Sequence, residues 1–331
     1  MKFLNKILVF MLVSTIFFGI AAITKNSYAQ DPQSEYQKKL EEHERETARI
    51  EAENKKKEEM LEEQKRINAA KKAYREGRTY LQKGMADEAL KAYELAIQYD
   101  NNFALAYHGK GIALARLRRY DDALNAYHKA IQLDPLYSEG FLALAKQYRQ
   151  MNKFDEALTM CLKAIQADTI NAERSGDRNL AASYYELGFV YNQRKEFDQA
   201  ARAFGEAGRL HSSYHTAYNA QGSALEKLGK TDEAIAAYQK AVDLKPDYYE
   251  AFGRMAALYN KTGQNEKALD AALNSLKHKK NYGFAAFEAG SAYKALDEYS
   301  NAIKYFEIAA ADKQWAKNAQ YEIELIKKRM K

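Results

Sequence analysis

The chain is 331 residues long, 47% hydrophobic and 29% charged, a balance that fits a folded protein with a sizeable core and excludes a disordered or collagen-like polymer. Its formal net charge of +6 includes Lys2, Lys6 and Lys25, so only +3 remains after residue 29, too little to point to nucleic acid or another polyanion as partner. A single cysteine, Cys161, excludes an internal disulfide framework, and three prolines with 25 tyrosines fit long helices packed by rings rather than many short strands.

Lys2 and Lys6 precede an apolar run from Ile7 to Ile23, and a small-x-small tripeptide ends at Ala29. A positive start, an apolar middle and small residues at the end predict a secretory signal over residues 1–29, cut before Gln30. The run is also at the short limit for crossing a bilayer, so an uncleaved anchor is the alternative. Either way the chain is expected to be exported, to the periplasm, the cell envelope or the medium. Membrane contact is expected only through this segment.

From Glu35 to Arg66, 20 of 32 residues are charged, 11 acidic and nine basic, with no Gly or Pro. Glu35/Lys39, Glu41/Arg45, Glu51/Lys55, Glu53/Lys57 and Glu62/Arg66 place the acid four residues before the base, the better orientation for supporting a helix. Residues 30–69 are therefore expected to form a charged helical spacer. A heptad frame runs through Leu40, Thr47, Asn54 and Leu61 with Ile50 at a d site, but His43, Lys57 and Gln64 fill the other d sites, so a weak or partner-dependent coiled coil is the second reading.

Beyond residue 69 one beat dominates. Ala89, Ala123, Ala157, Ala200, Ala234, Ala268 and Ala302 recur with steps of 34, 34, 43, 34, 34 and 34 residues. A fixed period of this length means one helical unit copied along the chain, each copy supplying the apolar wall its neighbour needs. With position 1 at Ala70, Ala104, Ser138, Ala181, His215, Tyr249 and Gly283, these alanines occupy position 20. Position 8 is Gly or Ala, position 27 is Ala or Ser, and rings or leucines fill positions 4, 11 and 24, except for Ala73 and Ala286 at position 4 and Cys161 and Ala272 at position 24. Small residues let two helices approach while the large ones fill what is left. Cys161 accordingly reads as a buried packing residue.

This pattern of a large residue, Leu-Gly, Tyr, Ala, Phe, Ala and a late Pro resembles the tetratricopeptide repeat. The resemblance implies an all-α, right-handed superhelical solenoid of seven helix-turn-helix repeats at 70–103, 104–137, 138–171, 181–214, 215–248, 249–282 and 283–314. Within each, it implies helix A at positions 1–14 and helix B at about 15–28. Pro135 and Pro246 at position 32 stop helix B. Gly84, Gly229 and Gly263 at position 15 suit a left-handed turn, and paired acids such as Asp87-Glu88 suit the positive end of helix B. Nine extra residues within Asn171 to Leu180 are expected to lengthen a loop or helix end and to divide the stack into three and four repeats. After the seventh copy, Trp315, Ala319, Ile323, Ile326 and Met330 form a stripe that predicts a capping helix over 315–331.

Chemistry is sparse. Gly109-Lys110-Gly111 lacks the spacing of a phosphate loop and lies within helix A. His211 and His215 are four apart but straddle a repeat junction without a further ligand, so no metal and no cofactor are expected. No nucleophile elbow or catalytic cysteine appears, and an enzyme is not expected. In tetratricopeptide proteins the concave wall is formed by positions 2, 5, 9, 12 and 13 of helix A. By that resemblance, a protein or peptide partner is expected to meet Tyr74, Arg78, His108, Arg116, Lys146, Arg149, Tyr185, Phe189, Asn192, Asn219, Lys227, Asn260, Phe284 and Phe287, which are expected to have no packing duty. The family's carboxylate clamp is absent, since Tyr74 and Arg78 stand at its first two positions. The expectation is a non-catalytic interaction scaffold of the bacterial cell envelope, a layout that export signal, charged helix and repeats resemble. The alternative is an oligomerising, membrane-proximal tether that acts through the charged helix.

Overall fold

The computed structural model describes residues 32–170 and 172–330. The expected export signal lies outside the described residues, among which no helix is long and apolar enough to cross a membrane. The chain divides into two compact units, Met1–Lys65 and Arg66–Lys331. Of the first, the described part is helical and every described side chain from Glu35 to Lys65 is exposed. Lys39 pairs with Glu35 at 3.2 Å and Arg45 with Glu41 at 3.7 Å, as the four-residue spacing predicts. Further along, the pairing departs from that scheme: Glu53 turns back to Arg49 and Glu62 to Lys65. The helix α1 is Pro32–Gln82 and takes in charged residues of the expected spacer as well as helix A of the first repeat.

The second unit is a solenoid of paired helices without strands among the described residues. The pairs are α1 with α2 (Ala86–Tyr99), α3 (Ala104–Arg116) with α4 (Tyr120–Leu133), and α5 (Ser138–Gln150) with α6 (Phe154–Ile170). They continue as α7 (Ala172–Gln193) with α8 (Phe197–Leu210), α9 (His215–Lys227) with α10 (Thr231–Leu244), α11 (Tyr249–Lys261) with α12 (Asn265–His278), and α13 (Gly283–Ala295) with α14 (Tyr299–Ala310). The helix α15 (Ala316–Arg329) closes the stack with Ala319 and Ile326 buried and Lys327, Lys328 and Arg329 in its last turn. Met330, expected in its apolar stripe, is instead exposed at the helix end.

The recurring small residues are the contact points. Every alanine at position 20 is 0% exposed, and so is every Ala or Ser at position 27. Position 8 and position 24 are matched in volume. Where position 8 is glycine, a ring lies against it: a Cβ on Gly77, Gly188, Gly222 or Gly290 would fall within 3 Å of Tyr93, Phe204, Tyr238 or Phe306. Gly111 meets Tyr127 in the same way. Where position 8 is Ala145 or Ala256, position 24 shrinks to Cys161 or Ala272, and each pair shares a core cluster. Cys161 is thus the small partner of an alanine, buried so completely that its thiol is pushed well above its ordinary range, which removes it as a nucleophile.

Helix B begins two residues later than expected, at position 17, because the turn needs a left-handed residue at position 15 in all seven repeats. Gly84, Gly229 and Gly263 supply it, and so do Arg118, Asn152, Lys195 and Asp297 with φ of 60°, 58°, 63° and 57°. In each repeat the next N–H then donates back to the carbonyl at position 11, as from Lys230 to Leu225 at 3.0 Å and Glu298 to Tyr293 at 2.9 Å. This closes the end of helix A in a Schellman arrangement. A left-handed L-residue costs about 1–2 kcal/mol, of which the greater chain entropy of glycine returns about 0.5–1. Arg118→Gly and Lys195→Gly are therefore expected to stabilise the unit, each raising the midpoint of thermal unfolding by about 1–3 °C. An unchanged or lower midpoint in both variants would contradict the assignment of strain to these turns.

The insertion does not divide the solenoid. Its residues extend two helices, α6 to 17 residues and α7 to 22, where other helices B have 12–14 and helices A from the second repeat on have 13. A core of Ala145, Ala157, Cys161, Leu187, Val190 and Ala203 runs across it. The Ser183 hydroxyl donates to Asp168 at 2.9 Å and Asn179 donates to Glu139 at 2.8 Å. Ser138, Gln147, Asp168, Ser183 and Glu186 are five of the six buried polar residues among those described. The junction of the third and fourth repeats therefore adds buried polar contacts to its apolar core.

Candidate functional site

The expected partner-facing residues all lie on helices A, where the packing of helix B behind them sets their direction. The chain then returns over them: in the first, second, fourth and sixth repeats the loop after helix B brings the aromatic residue at position 34 against position 5 of the same repeat. Tyr74 lies 5.2 Å from Phe103, and His108 stands edge-on to Tyr137 at 5.2 Å. Tyr185 lies 4.7 Å from Tyr214 and also meets Phe189 at 4.8 Å. In the sixth repeat position 5 is Gly253, and the space goes to Tyr282 and Phe284, 3.2 and 3.3 Å from where its Cβ would be. At the end of the row Phe284 and Phe287 lie 5.3 and 4.9 Å from Trp315. Phe103, Tyr137, Tyr214 and Tyr282 were missed by the sequence reading of this face, although their common position in the repeat frame was a signal that could have found them.

The charged residues correct one premise. Arg116, Arg149, Asn192, Lys227 and Asn260 are not free of packing duty, because each reaches a neighbouring repeat. Arg116 donates to the carbonyl of Leu81 at the end of α1, which also accepts from the Gly84 N–H at 3.2 Å. Arg149 pairs with the buried Glu186 and lies over the Phe189 ring at 5.5 Å. The Lys227 ammonium donates to Asn192 Oδ1 at 2.9 Å and sits 4.9 Å from the centre of Phe197. Asn260 donates to the carbonyl and the carboxylate of Glu288 at 2.9 and 2.7 Å. Arg78 and Lys146, both exposed, have no ion-pair partner among the described residues.

Between α3 and α5 these side chains leave a groove of about 390 Å³, lined by His108, Ile112, Glu139, Leu142, Lys146 and Gln147 among others. The Tyr137 hydroxyl and His108 Nδ1 share a hydrogen bond of 2.7 Å. Burial pushes the His108 pKa down to about 4, assisted by Lys146 and opposed by Glu139. The imidazole is therefore neutral at physiological pH. An unfolded chain takes up this proton below pH 6.5 and the folded one resists it down to about 4, so stability falls as pH drops through that window and is unaffected above it. Between pH 7 and pH 5 the expected loss is about 2 kcal/mol. Urea unfolding at both pH values should show this loss in the unaltered chain and not in His108→Asn; equal losses in the two would remove His108 as its source.

Three amide atoms on helices A are buried without any hydrogen-bond partner: Gln147 Nε2, Asn219 Oδ1 and Asn260 Oδ1. A donor or acceptor shut from water and left unpaired costs about 1–3 kcal/mol, so such groups are uncommon and call for an explanation. Elsewhere His211 and His215 turn to different tyrosines, Tyr214 at 5.6 Å and Tyr248 at 5.1 Å. Among the described residues no group of three His, Cys, Asp or Glu side chains is placed to hold a metal ion.

Family models described as tetratricopeptide repeat match residues 74–103, 104–137 and 185–249. A model described as the TT21 fifth ARM repeats domain matches 225–326. Among solved structures, PilF of Pseudomonas aeruginosa is 19% identical, with 66% of this chain and 96% of that one covered at a TM-score of 0.56. A tetratricopeptide repeat protein from Parabacteroides merdae is 15% identical, with 78% and 99% covered at a TM-score of 0.50. Both are similar to this chain in fold. No curated protein matches it.

Proposed function

Because the chain is a tetratricopeptide-repeat protein, a fold that serves protein interaction, we propose that it is a non-catalytic scaffold whose partner is a protein segment held along the inner face of helices A. The observation that carries this reading is three amide atoms on helices A that have no hydrogen-bond partner, Gln147 Nε2, Asn219 Oδ1 and Asn260 Oδ1. A peptide main chain presents alternating donors and acceptors, and it satisfies both an Nε2 and an Oδ1 without regard to sequence once these side chains turn out of the packing that shuts them from water. The row of rings from Tyr74 to Trp315 then offers apolar anchors between these polar points.

The test is positional. A photo-crosslinking residue in place of Asn219 should give discrete protein adducts in the cell of origin, and the same residue in place of Asn125 on the opposite helix layer should not. Equal labelling from both positions would overturn the proposal. We further propose that the protein works in the bacterial cell envelope after export, on the strength of Lys2, Lys6, the apolar run and Ala29. N-terminal sequencing of the exported protein should begin at Gln30, and a chain found in the cytoplasm with Met1 retained contradicts export.

A further inference from the structure

The N-terminal unit carries a second pattern, independent of the groove. The part of α1 that belongs to this unit is a solvated helix; of its five large apolar exposed side chains Met60 stands off the seam at a g site, and the other four are Tyr36, Leu40, Ile50 and Leu61. They fall at a and d sites of one heptad frame, with a at Leu40, Thr47, Asn54 and Leu61. The residues that flank this seam at e and g, taken in order through the middle of the helix, are Glu44, Glu46, Glu51, Glu53 and Glu58. Most of the bases lie elsewhere: Arg45, Arg49, Lys55 and Lys56 occupy the b, c and f sites, while Lys39 and Lys65 take the outermost g and e sites and Lys57 a d site, and Arg49 reaches Glu46 at 3.9 Å and Glu53 at 3.5 Å from behind the seam.

An acidic margin on both sides of a narrow apolar stripe decides what can pair with it. In two parallel copies of this chain, Glu46 would face Glu51 and Glu53 would face Glu58, on both sides of the seam, and only Lys39 and Glu44 would attract. Like charges opposed in this way work against a second copy while leaving a partner of opposite margin unaffected. We infer that residues 36–64 form one half of a heterotypic coiled coil, whose other half is a helix of a different protein with lysine or arginine at its e and g sites. The apolar seam is short of leucine, so the pair depends on the charges and is expected to weaken with salt.

A charge-swapped copy of the chain serves as the probe. Residues 30–331, which carry every described helix, are made unaltered and with Glu44→Lys, Glu46→Lys, Glu51→Lys, Glu53→Lys and Glu58→Lys together. Sedimentation at neutral pH and low salt should find each chain monomeric alone and a 1:1 complex of twice the mass in the mixture, lost at high salt. Two monomers in the mixture, or self-association of the unaltered chain, overturn the inference. A second variant guards against a swapped chain that has lost its helix: Glu46→Lys with Glu53→Lys places a base opposite Glu51 and Glu58 of a second copy, so this variant alone should dimerise. A monomeric second variant whose circular dichroism is unchanged also overturns it.

Discussion

Gly222→Ala is expected to destabilise the solenoid by about 1–3 kcal/mol, although alanine is the better helix former by about 1 kcal/mol in a helix interior. The added methyl would stand 2.8 Å from the ring of Tyr238, which is 0% exposed and whose hydroxyl donates to Glu226 at 2.9 Å, so the ring has nowhere to retreat. Tyr238→Ala alone should cost about 3–5 kcal/mol through the cavity it leaves. In that background the sign of the first change reverses. With the ring gone, Gly222→Ala fills space and recovers helix propensity, so the double variant should be more stable than Tyr238→Ala by up to about 1 kcal/mol. Thermal or urea unfolding of the four chains measures the coupling, and additive costs would show that the ring does not confine the glycine. The protein already contains the compensated pair twice, as Ala145 with Cys161 and Ala256 with Ala272.

Arg149→Met should cost about 2–4 kcal/mol, the other large effect, and for an opposite reason. Its partner Glu186 has a side chain only 4% exposed, whereas that of Arg149 is 27% exposed, so removing the guanidinium leaves a carboxylate inside the third-to-fourth repeat junction without its counter-charge. Breaking a buried pair from one side is more costly than replacing both members. Adding Glu186→Gln to Arg149→Met is therefore expected to restore at least half of the loss. If the double variant is no more stable than the single one, the cost came from lost packing of the arginine stem over Phe189 and not from the stranded charge.

The two cases differ in how far they could be read from residues alone. Gly222 and Tyr238 occupy positions 8 and 24 of a repeat, and the same offset recurs in seven copies, so the alternation of small and large residues exposes the contact before any coordinates exist. Arg149 at position 12 meets Glu186 at position 6 of the next repeat, 37 residues apart across the insertion, and the same two positions meet 28 residues apart as Glu226 with Arg254 and as Asn260 with Glu288. The offset recurs while the residue types change from copy to copy, so no repeated residue marks the contact. The same holds for Arg116 with Leu81 and Lys227 with Asn192, both 35 residues apart, which is why these inner-face residues read as unencumbered in the sequence and are found bridging repeats. The left-handed turns show the limit from another side: glycine at position 15 announces the turn in three repeats, while Arg118, Asn152, Lys195 and Asp297 are held there by the helices on either side, with Asn and Asp tolerating it better than Arg and Lys.

By itself, then, the sequence determined the unit, its seven copies, the two helices in each and the small residues at which they touch. These depend on contacts at constant offsets, and each copy repeats the information. Tertiary structure alone decided that the insertion lengthens α6 and α7 without breaking the stack, and which polar side chains are spent between repeats while Gln147 Nε2, Asn219 Oδ1 and Asn260 Oδ1 stay unpaired. Those outcomes depend on side chains from different copies meeting in three dimensions, where burial and hydrogen-bond supply are set by residue types that change from copy to copy even where the spacing is constant.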